Sequence, residues 1–212
     1  MYCPAHFAVE APEALFELIA QYPLATLISH GETGLVADHI PMLHQPTADG
    51  FGRLIGHVAK SNPLWQISAE QELLLVFQGP STYISPNWYA SKAASGKVVP
   101  TWNYAVVHAH GTLKAIQSPD AILDILTRLT QVHEAAQAHP WQVSDAPTDF
   151  TERLLDHIVG IEISIRRLQG KWKVSQNQSG ENQRGVVQGL SALDSDEALR
   201  MADLVKRFAE RE

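Results

Sequence analysis

The chain has 212 residues, of which 45% are hydrophobic and 18% are charged, and its formal net charge is −7. The length and the apolar fraction are typical of one globular domain with its own core, and the low charged fraction excludes a coiled coil. Cys3 is the single cysteine, so an intrachain disulfide is excluded. The negative charge disfavours broad binding to nucleic acids or anionic membranes, because phosphate groups attract Lys and Arg.

The first fifty residues lack the pattern of a secretory signal. They contain no Lys or Arg before Arg53, whereas a signal peptide begins with a basic segment. No apolar run in the chain approaches the roughly 20 residues that a membrane helix needs. We therefore expect a soluble, cytoplasmic protein.

The first half of the chain predicts one short helix followed by several strands. Pro12 and the helical spacing of the apolar residues after it predict a helix over 12–21. Gly31–Gly34 and Asp49-Gly50 are turn signals, and Asn62-Pro63 predicts a capped helical turn. Strands are predicted over 24–29, 35–43, 51–58 and 73–77, the last of them closed by Gly79-Pro80.

The second half predicts two long strand regions and three helices. Residues 102–116 form either one strand or two strands broken at Gly111, and Gly170 is expected to turn the strand around 161–165 into another over 171–175. Helices are predicted over 119–139, 149–157 and 195–210, the last with Asp194 and Glu197 as a capping pair. Because hairpins join most strands, the fold class is mainly β with peripheral helices (α+β), in an antiparallel barrel.

Several classes of enzyme lack their motifs in this chain. There is no G-x-S-x-G elbow, no G-x-G-x-x-G loop and no P-loop lysine. His133-Glu134 is followed by His139 six residues on, rather than four, so the two imidazoles do not share a helix face as zinc metalloproteases require. His108 and His110 would point to one side of a strand and could share a metal, but no third ligand is identifiable, and we predict no metal site.

One basic segment lies between residues 162 and 184. It has a net charge of +3, from five basic and two acidic residues. A solvated strand face is the favoured interpretation, and a patch for nucleic acid is the alternative. The basic residues are Arg166, Arg167, Lys171, Lys173 and Arg184.

Three polar and aromatic stretches indicate a ligand site. In residues 56–65 a strand ends and a helical turn begins, and Lys60, Ser61 and Asn62 supply a cation and hydrogen-bond donors that suit a phosphate. Residues 79–89 and 99–104 are dense in Trp, Tyr and Asn, which can form a slot with a flat wall. The same rings could instead plug the barrel or form a subunit contact, and both interpretations stay open.

The same stretches carry a resemblance that covers nearly the whole chain. The sequence resembles the PaiB-type family, described as FMN-binding negative transcriptional regulators. The motifs that carry the resemblance are Gly56-His57, Asn62-Pro63, Tyr83-Ile84-Ser85-Pro86, Trp88-Tyr89, Val99-Pro100-Thr101-Trp102-Asn103-Tyr104 and Lys171-Trp172-Lys173-Val174-Ser175-Gln176-Asn177.

The resemblance implies one FMN-binding split-barrel domain over residues 1–212, similar to the pyridoxamine-phosphate oxidase superfamily. It implies a homodimer with FMN in the groove between subunits and phosphate ligands in the turn after the third strand. By this likeness Asp38, His39 and Ile40 run along the isoalloxazine ring, Gly56, His57 and Val58 face the ring and the ribityl chain, Lys60, Ser61 and Asn62 hold the phosphate, and Trp102 and Asn103 border the slot.

Three functions fit these expectations. The first is negative regulation of transcription that is indirect, since the chain is acidic and shows no recognition helix, which makes direct DNA binding doubtful. The second is a flavin-dependent oxidoreductase or flavin reductase acting on a small molecule. The third is a non-catalytic module whose aromatic slot binds another planar ligand.

Overall fold

The computed structural model describes residues 1–31, 34–48 and 50–209. These residues form eight strands and six α-helices, joined by short 3-10 helices. The strands are β1 (Ala8–Val9), β2 (Leu24–Gly31), β3 (Gly34–Pro41), β4 (Leu43–Gln45), β5 (Arg53–Ala59), β6 (Glu72–Ile84), β7 (Thr101–Ile116) and β8 (Ile158–Lys173), and the helices are α1 (Pro12–Gln21), α2 (Ser91–Ser95), α3 (Pro119–Glu134), α4 (Thr148–Leu155), α5 (Gly180–Ser191) and α6 (Asp196–Ala209).

The strands form one sheet in the order β3-β2-β6-β7-β8-β5-β4, with β1 paired to β8. Each pair whose register is described is antiparallel: β1 with β8, β2 with β3 and β6, and β5 with β4 and β8. The sheet path is open, with β3 at one end and β4 at the other. The prediction of a mainly antiparallel β fold with peripheral helices is therefore confirmed.

The described residues group into two compact units. Unit 1 comprises Met1–Leu18, Gln78–Val107 and the chain from Gln169 onward, and unit 2 comprises Ile19–Phe77 and His108–Leu168. The single domain expected over residues 1–212 stays a prediction.

The core of unit 2 follows the alternation of its strands. Ala25 and Leu27 of β2 are fully buried, and Ile40 lies opposite Ala25 in the β2–β3 register. On β5, Ile55 packs with Ile125 and Leu129 of α3. Burying one such side chain contributes about 1.5–3 kcal/mol, so this apolar packing holds α3 against the sheet.

The strand ends predicted at Gly79-Pro80 and Gly170 are wrong. Gly79-Pro80 does not close β6 and Gly170 does not turn the chain, because β6 and β8 continue through them, and β7 runs unbroken through Gly111. A Cβ atom on Gly111 would lie 2.2 Å from the Ser164 carbonyl oxygen, and one on Gly170 would lie 2.2 Å from Leu15 Cδ2. These glycines permit close approach of neighbouring elements rather than a turn.

Two helix boundaries also differ from the predictions. Helix α3 ends at Glu134, five residues before the predicted end, and the Glu134 carboxylate accepts a hydrogen bond of 3.0 Å from Trp141 N in the loop that follows. Helix α6 begins at Asp196, and residue 210 of the prediction lies outside the described residues. The predicted run 35–43 divides at Met42 into β3 and β4.

The predicted capping pair of α6 is wrong. Ser195 caps the helix, since its hydroxyl accepts a hydrogen bond from Ala198 N. The Glu197 carboxylate instead accepts a hydrogen bond of 2.7 Å from Ser81 N, and Asp194 lies outside the cap.

Helix α5 has no counterpart among the predictions, because its sequence is polar and contains three glycines. Its N-cap is Ser179, and Val186 and Leu190 form its buried face. Cβ atoms on Gly185 and Gly189 would lie 1.9 Å from the Trp88 carbonyl oxygen and 2.3 Å from the Trp88 ring. The absence of side chains at Gly185 and Gly189 therefore leaves room for Trp88 against the helix.

Two predicted turns fall partly outside the described residues. Residues 32 and 33 of the first turn and Asp49 of the second are not described. The flanking strands β2 and β3 pair antiparallel, with Gly31 opposite Gly34.

None of the described helices has the length and the apolarity needed to cross a membrane.

Candidate functional site

Most of the predicted site residues lie together in unit 2. Residues 38–40 belong to the end of β3, residues 56–58 to the middle of β5, and residues 60–62 to the turn that follows β5. The two strands are in contact. This arrangement places one strand end, one strand centre and one turn side by side.

Gly56 allows β5 to lie against the end of β3. A Cβ atom at this position would lie 2.8 Å from Met42 Sδ and 2.9 Å from the Pro41 carbonyl oxygen. Any side chain here would push the strands apart, so glycine is required for this contact. Ile40 of β3 and Val58 of β5 are both buried.

Asn62 connects the turn to β3. Its Nδ2 donates a hydrogen bond of 2.7 Å to Asp38 Oδ1, and its Oδ1 accepts one of 2.9 Å from Leu64 N at the start of the 3-10 helix. The predicted cap at Asn62-Pro63 is therefore confirmed. One hydrogen on Nδ2 remains for a ligand.

The backbone of the turn is held on both sides of Lys60. Lys60 N donates to the His157 carbonyl oxygen at 2.8 Å, and the Lys60 carbonyl oxygen accepts a hydrogen bond of 3.0 Å from Trp65 Nε1. Asn62 N donates to the Ala59 carbonyl oxygen at 2.9 Å. The side chains of Lys60 and Ser61 are exposed, so a fixed backbone presents a cation and a hydroxyl to solvent.

His57 brings an unsatisfied polar atom to the same region. Its side chain is half-buried, and Nδ1 is buried with no hydrogen-bond partner among the described residues. Burial lowers the pKa of His57 from its ordinary value of 6.5, so the neutral imidazole is favoured. A buried ring nitrogen of this kind is available to a bound ligand. His39, on β3, is exposed.

These residues fit FMN. A phosphate of charge about −2 needs a cation and several donors, which Lys60, Ser61 and the second Nδ2 hydrogen of Asn62 can supply. His57 Nδ1 offers a further polar contact, and its lack of a partner among the described residues is the observation that favours a ligand here. Which atoms of FMN each residue contacts stays a prediction.

The two remaining predicted residues, Trp102 and Asn103, lie in unit 1. Asn103 is 1% exposed, and its Nδ2 donates a hydrogen bond of 2.9 Å to Ser175 Oγ. Trp102 is 57% exposed, and its ring meets that of Tyr83 edge to face, with centroids 6.4 Å apart. Asn103 therefore has a structural partner, whereas Trp102 presents its ring to solvent.

Ser175 is a residue of this region to which the sequence analysis assigned no role. It has a φ of 66°, which is unusual for a residue other than glycine. Its hydroxyl accepts the bond from Asn103, and its carbonyl oxygen accepts hydrogen bonds from Gln183 Nε2 and Gln178 N. The string Ser175-Gln176-Asn177, dense in hydrogen-bonding side chains, was the signal available in the sequence.

His108 and His110 do not complete a metal site. His110 Nδ1 lies 4.0 Å from Glu72 Oε2, and no group of three or more metal-ligating side chains occurs in the described part of the chain. Burial lowers the pKa of both histidines, and Arg167 lowers each further. His110 Nε2 is buried and has no described hydrogen-bond partner.

Comparison with known proteins gives similarities along most of the chain. Residues 1–167 match the family described as "Putative FMN-binding domain". An uncharacterised protein of Emericella nidulans is 34% identical over 99% of this chain and 98% of its own. Protease synthase and sporulation protein PAI 2 of Bacillus subtilis is 29% identical over 97% of each chain.

A solved structure supports the fold. The flavocytochrome Anf3 from Azotobacter vinelandii superposes with a TM-score of 0.57 and 12% identity, over 79% of this chain and 69% of that one. At this identity the likeness concerns the fold alone. Together with the open antiparallel sheet, it confirms the predicted split β-barrel.

Three half-buried histidines predict a stability that falls in mild acid. Because burial lowers the pKa of His57, His108 and His110, each binds a proton more weakly in the folded chain than in the unfolded one. As the pH falls through about 6.5, the unfolded chain gains protons that the folded chain does not, so the free energy of unfolding should decrease from pH 7 to pH 5. Thermal unfolding of the flavin-free protein at several pH values measures this.

Replacing one half-buried histidine tests the cause. His57→Gln should flatten the pH dependence, whereas His133→Gln, at an exposed position near the end of α3, should leave it unchanged. Equal slopes for the two variants would show that His57 is not a source of the effect.

Proposed function

Because the chain belongs to the PaiB-type family of FMN-binding proteins, we propose that it is a cytoplasmic, homodimeric flavoprotein that represses transcription indirectly. Its cofactor is FMN. When bound, FMN supplies a ring that accepts and donates electrons, and the chain binds and orients it. The observation that carries the proposed site is the turn at Lys60 and Ser61, whose backbone is held by hydrogen bonds and which follows His57, whose Nδ1 has no partner in the described part of the chain.

In this proposal Lys60 and Ser61 hold the FMN phosphate. Their side chains are exposed, and hydrogen bonds already hold the backbone of the turn, so binding an anion orders the side chains without a further cost in backbone entropy. Asn62 is a positioning residue as well as a donor, because its bond to Asp38 fixes the turn to β3.

The strands beside the turn would contact the rest of the cofactor. Asp38, His39 and Ile40 would run along the ring, and Gly56, His57 and Val58 would face the ring and the ribityl chain. The half-buried position of His57, with one ring nitrogen that no described residue binds, supports this placement. In a homodimer, Trp102 and Asn103 of one subunit would border the cofactor of the other.

Indirect repression is supported by the charge of the chain. The net charge of −7 opposes approach to DNA, and non-specific affinity for DNA depends on Lys and Arg. Arg166 and Arg167 are exposed on β8. Because adjacent side chains of a strand point to opposite faces, the two cations do not share one face. Repression would then act through a partner protein or through flavin chemistry.

A flavin-dependent oxidoreductase or flavin reductase is the second candidate. The exposed rings of Trp102 and Tyr83 favour it, since an aromatic surface of this kind can contact a small substrate. In that case the protein would bind and orient the substrate, and the cofactor would carry the redox chemistry.

Lys60→Ala tests the phosphate site. We expect it to weaken FMN binding by about 1–3 kcal/mol, which is the scale of losing a charged hydrogen-bond partner. Riboflavin lacks the phosphate and should bind the native protein and the variant equally. Flavin fluorescence quenching during titration measures both ligands.

Lys114→Ala is the matched control, because it removes the same charge from an exposed position of β7. It should leave the affinity for FMN unchanged. If Lys60→Ala weakens riboflavin as much as FMN, Lys60 acts on the ring or on the fold, and the phosphate site lies elsewhere.

The homodimer has its own test. Tyr89 is 5% exposed within one chain, but Tyr83 and Trp102 remain 46% and 57% exposed and are the rings that a partner would cover. Sedimentation at micromolar concentration should show one species of about twice 23.4 kDa. A monomer in both the flavin-free and the FMN-loaded protein would contradict a site built from two subunits.

Regulation and catalysis are separated by two measurements on the FMN-loaded protein. Indirect regulation predicts no salt-dependent binding to a promoter fragment and no turnover of NADH or NADPH. Oxidation of NADPH at a steady rate would favour the oxidoreductase. Binding to the fragment that falls steeply with salt, and is lost in the Arg166→Ala/Arg167→Ala variant, would establish direct DNA binding instead.

A further inference from the structure

His157 lies beside the turn to which we assign the FMN phosphate, although it is distant from that turn in the sequence. Lys60 N donates a hydrogen bond of 2.8 Å to the His157 carbonyl oxygen. The antiparallel register of β5 with β8 ends at Ala59 opposite Ile158, so this bond extends the register by one residue and sets Lys60 opposite His157. His157 is also held from the side of α4, because its N donates to the Leu154 carbonyl oxygen at 3.0 Å.

The side chains of Lys60 and His157 leave the sheet on the same face. Residues that lie directly opposite each other in an antiparallel pair have Cβ atoms about 5 Å apart on one face. Val58 and Val159, the preceding opposite pair on that face, are 5% and 2% exposed. Lys60 and His157 are both exposed, so they form the first pair beyond the point where this face leaves the core.

Both side chains are available to a ligand. Neither the Lys60 ammonium group nor the His157 imidazole forms a hydrogen bond or an ion pair with another residue in the described ranges. The ammonium group has three donors, and the imidazole has one N–H when it is neutral and two when it is protonated. A ligand at this end of the strand pair would therefore meet donors from two separate segments of unit 2.

The phosphate of FMN needs more donors than Lys60 provides. A phosphate of this kind carries a charge of about −2 and presents three acceptor oxygens. Residues 56–65 contain no Lys or Arg besides Lys60, so the turn supplies one full positive charge. A further donor from the neighbouring segment would satisfy an oxygen that the turn leaves without a charged partner.

We propose that His157 donates a hydrogen bond to the FMN phosphate and thereby favours phosphorylated flavins over riboflavin. This inference rests on the flavin site proposed above, in which Lys60 and Ser61 hold the same phosphate. No pattern around His157 in the sequence indicates this role, because the pairing of β5 with β8 is what brings His157 to the turn.

Titration of the full chain with FMN and with riboflavin, followed by flavin fluorescence quenching, tests the proposal. His157→Gln should weaken FMN binding about tenfold or more, which is the scale of one hydrogen bond to a charged group, and should leave riboflavin binding unchanged. His157→Arg keeps donors for the phosphate and should retain most of the affinity for FMN. His133→Gln, at an exposed position near the end of α3, is the matched control and should change neither affinity.

A double variant tests whether the two residues act on one group. In Lys60→Ala/His157→Gln, the preference for FMN over riboflavin should fall below that of either single variant. Thermal unfolding of each flavin-free variant checks that it is folded.

The inference is overturned if the folded His157→Gln variant binds FMN as tightly as the native protein does. It is also overturned if this variant loses affinity for FMN and riboflavin equally, since His157 would then act on the ring or on the fold. If Lys60→Ala reduces the preference for FMN and His157→Gln does not, this inference fails while the proposed phosphate site stands. A native protein that binds riboflavin as tightly as FMN would contradict the phosphate site itself, and this inference with it.

Discussion

The structure depends on places where two segments approach so closely that no side chain fits between them. At Gly111 the backbone of β7 meets the Ser164 carbonyl oxygen, and at Gly56 strand β5 meets the end of β3. In each case a Cβ atom would lie within 3 Å of a neighbour, which packing does not tolerate. Long, unbroken strands and the contact between β3 and β5 both follow from this constraint.

The proposed flavin site is a consequence of the same contact. Once Gly56 brings β5 against β3, the turn after β5 lies within reach of Asp38, and the amide of Asn62 joins the two. The backbone bonds of the turn are then satisfied internally, which leaves the side chains of Lys60 and Ser61 for solvent or ligand. A rigid backbone with exposed charged ends is what tight anion binding requires, because preorganisation reduces the entropy cost of binding.

Sequence patterns predicted the elements that local rules govern. The alternation at 161–165 and the cap at Asn62-Pro63 depend on neighbouring residues, and both are as expected. Gly170 was misassigned, because the lack of a Cβ atom serves turns and close packing alike, and only the tertiary neighbour Leu15 shows which applies. For the site, the motif around Lys60 was visible in the chain, but the carboxylate that binds Asn62 could be assigned only from the folded strands.

Charge is informative in this protein because acidic residues predominate. With a net charge of −7, the chain has more carboxylates than basic groups, and Arg53 forms an ion pair with Glu162 at 2.7 Å. Buried Lys171 and half-buried Lys173 have no carboxylate within 4.0 Å in the described chain, and neutral acceptors hold them instead, the carbonyl oxygens of Tyr2 and Trp102. Lys60, by contrast, is exposed. The assignment of Lys60 to the FMN phosphate therefore rests on the geometry of the turn and on the family of the chain, and not on the burial of a charge.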